Sequence, residues 1–228
     1  MINRHDLIKI KEKINNSILV NNIPNHNVEI VAVTKTFSSE AILAAFEEGI
    51  LSIGENKIQE AEYKFPQLPN LPKLKKRLIG HLQSNKVNKA INLFDTIDTI
   101  DSKKIAQRLD NSLKKINKTK EVLLQVNASK DIAKYGFDLN DQEQLLDVIN
   151  YKHLVVKGLM TIGEFTRDEK KTRKTFILLR QLKDKLNDQL ESDKKLTDLS
   201  MGMSSDFNIA IEEGSTQIRL GTALFGSR

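Results

Sequence analysis

The sequence predicts a single (β/α)8 TIM barrel with an extra N-terminal helix, and three observations carry that prediction. Short apolar runs alternate with amphipathic stretches along the whole chain, the pattern of a parallel α/β sheet. Those apolar runs number eight. Polar residues and glycines that packing does not explain follow the ends of these runs, where a TIM barrel places its chemistry. An open doubly wound sheet is the alternative topology.

In chain order, Leu7, Ile10, Ile14 and Ile18 share one face of an opening helix. Strands are expected at Ile30 to Thr34, Ile50 to Ile53, Arg77 to Ile79 and Leu93 to Ile97, then at Val122 to Val126, Val155 to Ile162, Leu196 to Ser200 and Gln217 to Leu220. Helices are expected between them near 39–48, 56–64, 84–91, 102–117, 140–150, 168–191 and 204–213. The fourth of these carries Ile105, Leu109, Leu113 and Ile116 on one stripe behind Ser102, a good N-cap. The sixth carries Phe176, Leu179, Leu182, Leu186 and Leu190. Gly49 and Gly214 stand where helices should end. Pro66, Pro69 and Pro72 mark one irregular loop, too short to divide the chain, so residues 1–228 are read as one domain.

Composition narrows the function classes. There is no cysteine, which excludes disulfides, thiolate metal sites and a cysteine nucleophile. The first residues are charged throughout and no stretch reaches the length of a membrane span, so the expectation is a cytoplasmic protein without a membrane partner. The net charge of +6 raises a nucleic-acid partner. Lysines interleaved with acids along helices and only 5% aromatic residues favour a solvated surface instead. P-loop, G-x-G-x-x-G and G-x-S-x-G motifs are all missing.

At the strand ends stand Lys35, then Glu55 and Asn56, Gly80 and His81, Asn127, Met160, the run Ser200 to Ser204, and Arg219 to Thr222. The last two segments follow the seventh and eighth strands, whose loops often hold phosphate in this fold. Gly202 and Gly221 permit close backbone approach, Ser200, Ser204 and Thr222 supply hydroxyls, and a helix starting near Ser204 would aim its positive end at an anion. The plainer reading is that the serines cap a helix and the glycines turn the chain. Lys35 ends an apolar strand, where a lysine either snorkels or has its amine desolvated for condensation with a carbonyl. With a phosphate cup on the opposite side of the mouth, a phosphate-bearing aldehyde would span the two. His81 lacks a partner at metal-ligand spacing and is read as a local hydrogen-bonding residue within Ile79 to Gln83, and no metal is expected.

The stretches VAVTKTF around Lys35, IGENKIQEA at 53–61, RLIGHLQSNK at 77–86, LLQVN at 123–127, KGLMTI at 157–162 and the last thirty residues from LSMGMSSDF onward resemble the YggS/PROSC family. These are pyridoxal 5′-phosphate (PLP) homeostasis proteins related to the N-terminal barrel of alanine racemase, and the resemblance covers essentially the whole chain. It implies that Lys35 holds PLP as a Schiff base, that Asn56 lies beside the cofactor and that Met160 and Met201 help enclose it. It further implies that Ser200, Ser204, Gly221 and Thr222 surround the phosphate and that Arg219 faces the pyridine nitrogen. An arginine there disfavours ring protonation and weakens PLP as an electron sink. Two departures touch the mouth: Phe37 stands in the Thr-Lys-Pro-like run that commonly follows the Schiff-base lysine, and Ala133 replaces the serine of a Ser-Lys-x-Gly element. Ile162 and Gly163 also replace a proline-bearing form after Met160.

Alanine racemase takes a second base from a C-terminal β-domain and a neighbouring subunit, for which the residues up to Arg228 leave no room. Tyr63, Tyr135 and Tyr151 are expected away from the cup. The expectation is therefore a monomeric PLP carrier or buffer that supplies PLP-requiring apo-enzymes. A weak PLP-dependent amino-acid racemase or lyase is the alternative, and a nucleic-acid-binding module is disfavoured.

Overall fold

The computed structural model describes residues 2–20, 27–129, 131, 134–163, 166 and 168–226. Eight parallel strands close in sequence order: β1 (Glu29–Val33), β2 (Ser52–Glu55), β3 (Lys75–Leu78), β4 (Thr96–Ile100), β5 (Lys120–Gln125), β6 (Leu154–Met160), β7 (Asp198–Met203) and β8 (Gln217–Leu220). Closure pairs β1 with β8, with Val31 opposite Arg219 and Ala32 opposite Leu220. Helix α1 (Arg4–Val20) precedes the barrel, and α2 (Ser39–Glu47), α3 (Ile58–Lys64), α4 (Val87–Leu93), α5 (Lys103–Lys115), α6 (Gln142–Ile149), α7 (Glu169–Gln189), α8 (Phe207–Glu212) and the short α9 (Thr222–Phe225) follow successive strands. No helix among the described residues is long and apolar enough to cross a membrane.

The elements form where the apolar periodicity places them. In α5 the Ser102 side chain accepts from the Ile105 amide, and Ile105, Leu109 and Leu113 are buried, whereas Ile116 lies beyond the helix and is exposed. Helix α7 buries Phe176, Leu179, Leu182 and Leu186, and its Asp168 cap accepts from the amides of Lys170 and Lys171. Leu7, Ile10 and Ile14 of α1 join the same continuous core, and the helix packs on α8 and α9. Gly49 and Gly214 follow α2 and α8 with positive φ.

Several boundaries differ from expectation, among them β2, β3 and β7 by two or three residues, and two differences have a specific side-chain cause. The fourth strand runs over Thr96–Ile100 rather than 93–97, because Leu93 closes α4 and Phe94 is buried after it. Asp98, just past the expected strand, lies inside it and is fully buried, its carboxyl met by Arg77 at 3.3 Å. Helix α8 begins at Phe207 rather than Ser204, since the Asp206 carboxylate turns back to accept from the Met203 amide.

The lumen is polar at its base. Arg77 donates to Ser52 Oγ at 2.7 Å, pairs with Glu29 at 2.7 Å and reaches Asp98, while Gln217 donates to Asp198 at 3.2 Å. Successive strand residues face opposite sides, so Glu29 in the lumen places Val31 and Val33 there as well. Lys35 follows two residues after the end of β1, in the turn at the mouth.

Candidate cofactor site

Lys35 is partly exposed just beyond β1, and the segment carrying it is anchored on both sides. Before it, Thr34 Oγ1 donates to Glu55 Oε1 at 2.7 Å and its carbonyl accepts from Lys64 Nζ at 2.9 Å. After it, the Thr36 amide donates to Glu60 Oε2 at 2.8 Å. Lys64 ties these anchors together by also donating to Glu55 at 2.9 Å and Glu60 at 3.2 Å. Burial holds the Glu55 carboxyl above the usual range despite those donors. Thr36 adopts φ of 67°, a conformation that a β-branched residue rarely takes. The network thus holds local strain next to the lysine, as functional sites commonly do. Sequence reading noted Glu55 but missed Lys64, which looks like an ordinary helix-surface lysine.

Closure of the barrel corrects the placement of the cup. Gly221 follows β8, the direct neighbour of β1, and a Cβ built on it would lie 3.6 Å from Val33 Cβ. The cup therefore lies beside Lys35's strand, not across the mouth from it. Within the cup Ser204 Oγ accepts from the amides of Gly221 at 3.3 Å and Ala223 at 3.2 Å. Those two N–H groups converge on one oxygen, as they would on an anion. The positive end of α8 is not available in the way expected, because Asp206 occupies its start. Burial pushes the Asp206 carboxyl above its usual range. Thr222 is exposed at the beginning of α9. Gly202 has φ of 95° and a Cβ there would lie 2.6 Å from Ala210 Cβ, so its missing side chain serves packing on α8.

Arg219 and Ser200 form the floor. Arg219 Nη1 donates to the Ser200 carbonyl and Oγ, both at 2.8 Å, and Nη2 donates to the Thr161 carbonyl at 2.7 Å. Three of its five N–H groups are thereby committed. Burial pushes its pKa down to about 10, opposed by Asp98 and Asp206, so it stays charged at neutral pH. The Ser200 hydroxyl is engaged by Arg219 rather than standing free in the cup. Met160 lies in register with Ser200 and is fully buried. Met201 faces the other way, into the hydrophobic core, where period-two alternation puts the neighbour of a lumen residue.

Asn56 follows β2, and its Oδ1 is buried without a hydrogen-bond partner. Such an acceptor is costly unless a ligand satisfies it. Gly80 makes its position possible, since a Cβ on Gly80 would lie 2.1 Å from the Asn56 carbonyl oxygen. Asn56, Gly80 and His81 line one cleft of about 650 Å³ with Lys57 and Lys86. His81 does not bond within its own loop: Nδ1 lies 2.7 Å from Asp101 Oδ2 and the ring stacks on Tyr135. Tyr135 thus stands beside His81 on the loop after β5, and among the described residues no contact joins it to the cup at Ser204 and Gly221. Asn127 holds that loop by donating to the carbonyls of Asp131 and Lys134, and Lys134 reaches the Gly163 carbonyl at 2.8 Å. Phe37 packs on Phe225 at 5.0 Å between ring centres, an apolar contact in place of a second cation. Ala133 lies outside the described residues. The groove between α7 and the loop after β5, lined by Leu178, Leu182 and Lys174, includes none of the expected site residues.

The closed barrel thus brings Lys35, just beyond β1, beside the converging Gly221 and Ala223 amides beyond β8. Residues 6–228 match the family described as alanine racemase, N-terminal domain. The chain is 36% identical over 226 residues to the pyridoxal phosphate homeostasis protein of Pasteurella multocida, covering 98% of this chain and 96% of that one. It is 39% identical over 203 residues to the protein of the same name from Synechocystis, covering 89% and 92%. Among solved structures, PipY of Synechococcus elongatus without PLP superposes with a TM-score of 0.86 at 35% identity, covering 97% of this chain and 99% of that one. PipY with PLP bound gives 0.81 at 36% identity, covering 93% and 100%. Alanine racemase of Clostridium difficile shares the fold alone, with a TM-score of 0.79 at 16% identity over 58% of that chain. The chain belongs to the alanine racemase N-terminal domain family and, within it, to the pyridoxal phosphate homeostasis proteins.

Proposed function

We propose that the protein binds PLP as a Schiff base on Lys35 and acts in intracellular PLP homeostasis as a carrier or buffer. The observation that carries this reading is the adjacency of the Lys35 strand and the cup at Ser204 and Gly221 across the β1–β8 seam. PLP bears its aldehyde and its phosphate arm on neighbouring ring carbons, so neighbouring strands suit it better than opposite walls. The orphan Oδ1 of Asn56 and the uncommitted N–H groups of Arg219 are polar capacity that such a ring can use.

When bound, PLP supplies an electrophilic carbon and an electron sink. The protein's own residues set how far that chemistry runs. The anchors at Thr34 and Thr36 present the Lys35 amine, Ser204 and the Gly221 and Ala223 amides hold the phosphate, and Asn56 and Met160 border the ring. Thr222 stands at the edge of the cup, and Met201 contributes from the core side. Arg219 can only donate, so toward the pyridine nitrogen it keeps the ring unprotonated and the sink weak. That favours holding PLP for apo-enzymes over turning over amino acids, in a monomeric cytoplasmic protein.

The test is an equilibrium PLP titration followed by visible absorbance, with borohydride reduction and peptide mapping, and then transfer to a PLP-requiring apo-enzyme. A band trapped on Lys35 and lost in Lys35→Ala is the expected result. Label on another lysine, or no band at all, refutes it.

A further inference from the structure

We propose that His81, held by Asp101, relays protons for free amino acids entering the site at the mouth of the barrel. The inference rests on the PLP reading and names the small molecules that would reach that same site. Three contacts carry it. His81 Nδ1 lies 2.7 Å from Asp101 Oδ2, and Asp101 Oδ1 accepts from Ser102 Oγ at 3.2 Å. A carboxylate oxygen accepts and cannot donate, so Nδ1 carries the hydrogen, and in the neutral ring Nε2 is the acceptor. The imidazole also stacks on Tyr135, with ring centres 4.2 Å apart and planes 19° from parallel. Tyr135 is itself fixed, its carbonyl accepting from Gln125 Nε2 at 2.8 Å.

The ring is therefore locked in position and tautomer, yet its side chain remains 36% exposed. A purely structural peg between β3 and β4 needs neither the stacked wall nor the exposed edge. That edge opens on the cleft shared with Asn56 and Gly80. The titratable groups lining this cleft besides His81 are Lys57 and Lys86, which suit the carboxylate of an amino acid. Asn56, following β2 between β1 and β3, lines the same cleft and links it to the Lys35 side of the mouth.

A primary amine arrives largely as an ammonium ion at neutral pH. Its nitrogen becomes a nucleophile only after losing a proton, and Lys35 gains a proton when it is released. One relay serves both needs. The ammonium N–H bond breaks as the proton bonds to His81 Nε2, and that proton then passes to Lys35 Nζ. Charge and protons balance with no further reagent.

The experiment is stopped-flow mixing of PLP-loaded protein with glycine or alanine, following the visible band between about pH 6 and about pH 9. An oxyamine, already unprotonated at neutral pH, serves as the internal reference. In His81→Gln the amino-acid rate should fall at least about tenfold relative to the oxyamine rate, at the low end of general acid–base contributions. Added imidazole should restore the ratio in His81→Gly. In the cofactor-free protein, nitrogen NMR should show the Nδ1–H tautomer, and Asp101→Asn should disturb it. An unchanged ratio in His81→Gln, equal slowing of both amines, or an Nε2–H tautomer overturns the relay while leaving PLP binding intact. Absence of any visible band in the wild type overturns both.

Discussion

Replacing Lys64 by methionine should destabilise the protein by about 3 kcal/mol at neutral pH, because it strands a carboxylate that has no other charge partner. The Lys64 and Glu55 side chains are 6% and 0% exposed and 2.9 Å apart. Methionine keeps most of the stem volume but removes three hydrogen bonds, to Glu55, Glu60 and the Thr34 carbonyl. Removing one member of a buried pair costs about 3–5 kcal/mol, and proton uptake by Glu55 limits the loss to the lower end. For a chain of this size that corresponds to a fall in Tm of about 6–12 °C. The sign with pH follows from the raised Glu55 pKa. Its contribution is fully present below the unfolded carboxyl value and is lost as pH rises through the folded one. Lys64→Met, which raises that folded value further, should therefore recover stability on acidification relative to the wild type. Urea unfolding of the wild type, Lys64→Met, Glu55→Gln and the double variant at about pH 5 and about pH 7 measures both quantities. The double variant should be more stable than the sum of the single losses predicts. A loss under about 1 kcal/mol, or single effects that simply add, would show that the pair does not support the Lys35 segment.

Other substitutions separate the parts of the site. Ser204→Ala should weaken PLP retention by roughly 10- to 150-fold, the equivalent of about 1.5–3 kcal/mol for a hydrogen bond to a charged group, read by equilibrium dialysis. Exposed Thr222→Ala should cost less, and the reverse order would relocate the cup. Gly80→Ala forces a Cβ against the Asn56 carbonyl and should lower both Tm and PLP affinity, whereas unaltered affinity would remove Asn56 from the site. Asp206→Asn keeps an acceptor for the Met203 amide and removes a carboxyl whose pKa is raised by burial. Wild-type stability should be present below the unfolded Asp pKa and decline as pH rises through the folded one. The variant should lack that slope, and parallel Tm profiles for the two proteins would count against it.

The barrel was legible because apolar periodicity is a local property. Each strand, and every helix but the short α9, was visible near its own segment, including the Ser102 cap and the long stripe of α7. What was not legible depends on partners far away in sequence. Asp98 falls just past the expected strand until Arg77 is placed inside the same lumen. Lys64 looks solvated until Glu55 is buried beneath it. His81 looks isolated because Asp101 reaches it only across neighbouring strands, and Tyr135 only through a folded-back loop. Strand parity is hidden in the same way. Ser200 and Met201 are consecutive in one motif, yet one lines the lumen under Arg219 and the other packs in the core. The seam between β1 and β8 joins the two ends of the chain, so a linear reading sets Lys35 and Gly221 far apart when they are neighbours.

That seam also bears on why a lysine at a barrel mouth would hold a cofactor without driving it hard. An efficient proton-abstracting site needs a strong electron sink and a base poised over the reacting carbon. Here the floor is Arg219, buried and charged at neutral pH, donating to the Ser200 and Thr161 carbonyls and to the Ser200 hydroxyl. A donor so fixed cannot accept a proton from a pyridinium ring. His81 is locked against Asp101 and Tyr135 beside the entry cleft. On the proposed reading its location suits exchange of one amine for another better than removal of a proton from carbon. Negligible deuterium incorporation at the α-carbon of alanine, alongside measurable exchange of amines at Lys35, is the combined result this arrangement requires. Turnover of about 1 per second or faster would mean that Arg219 does not restrain the ring.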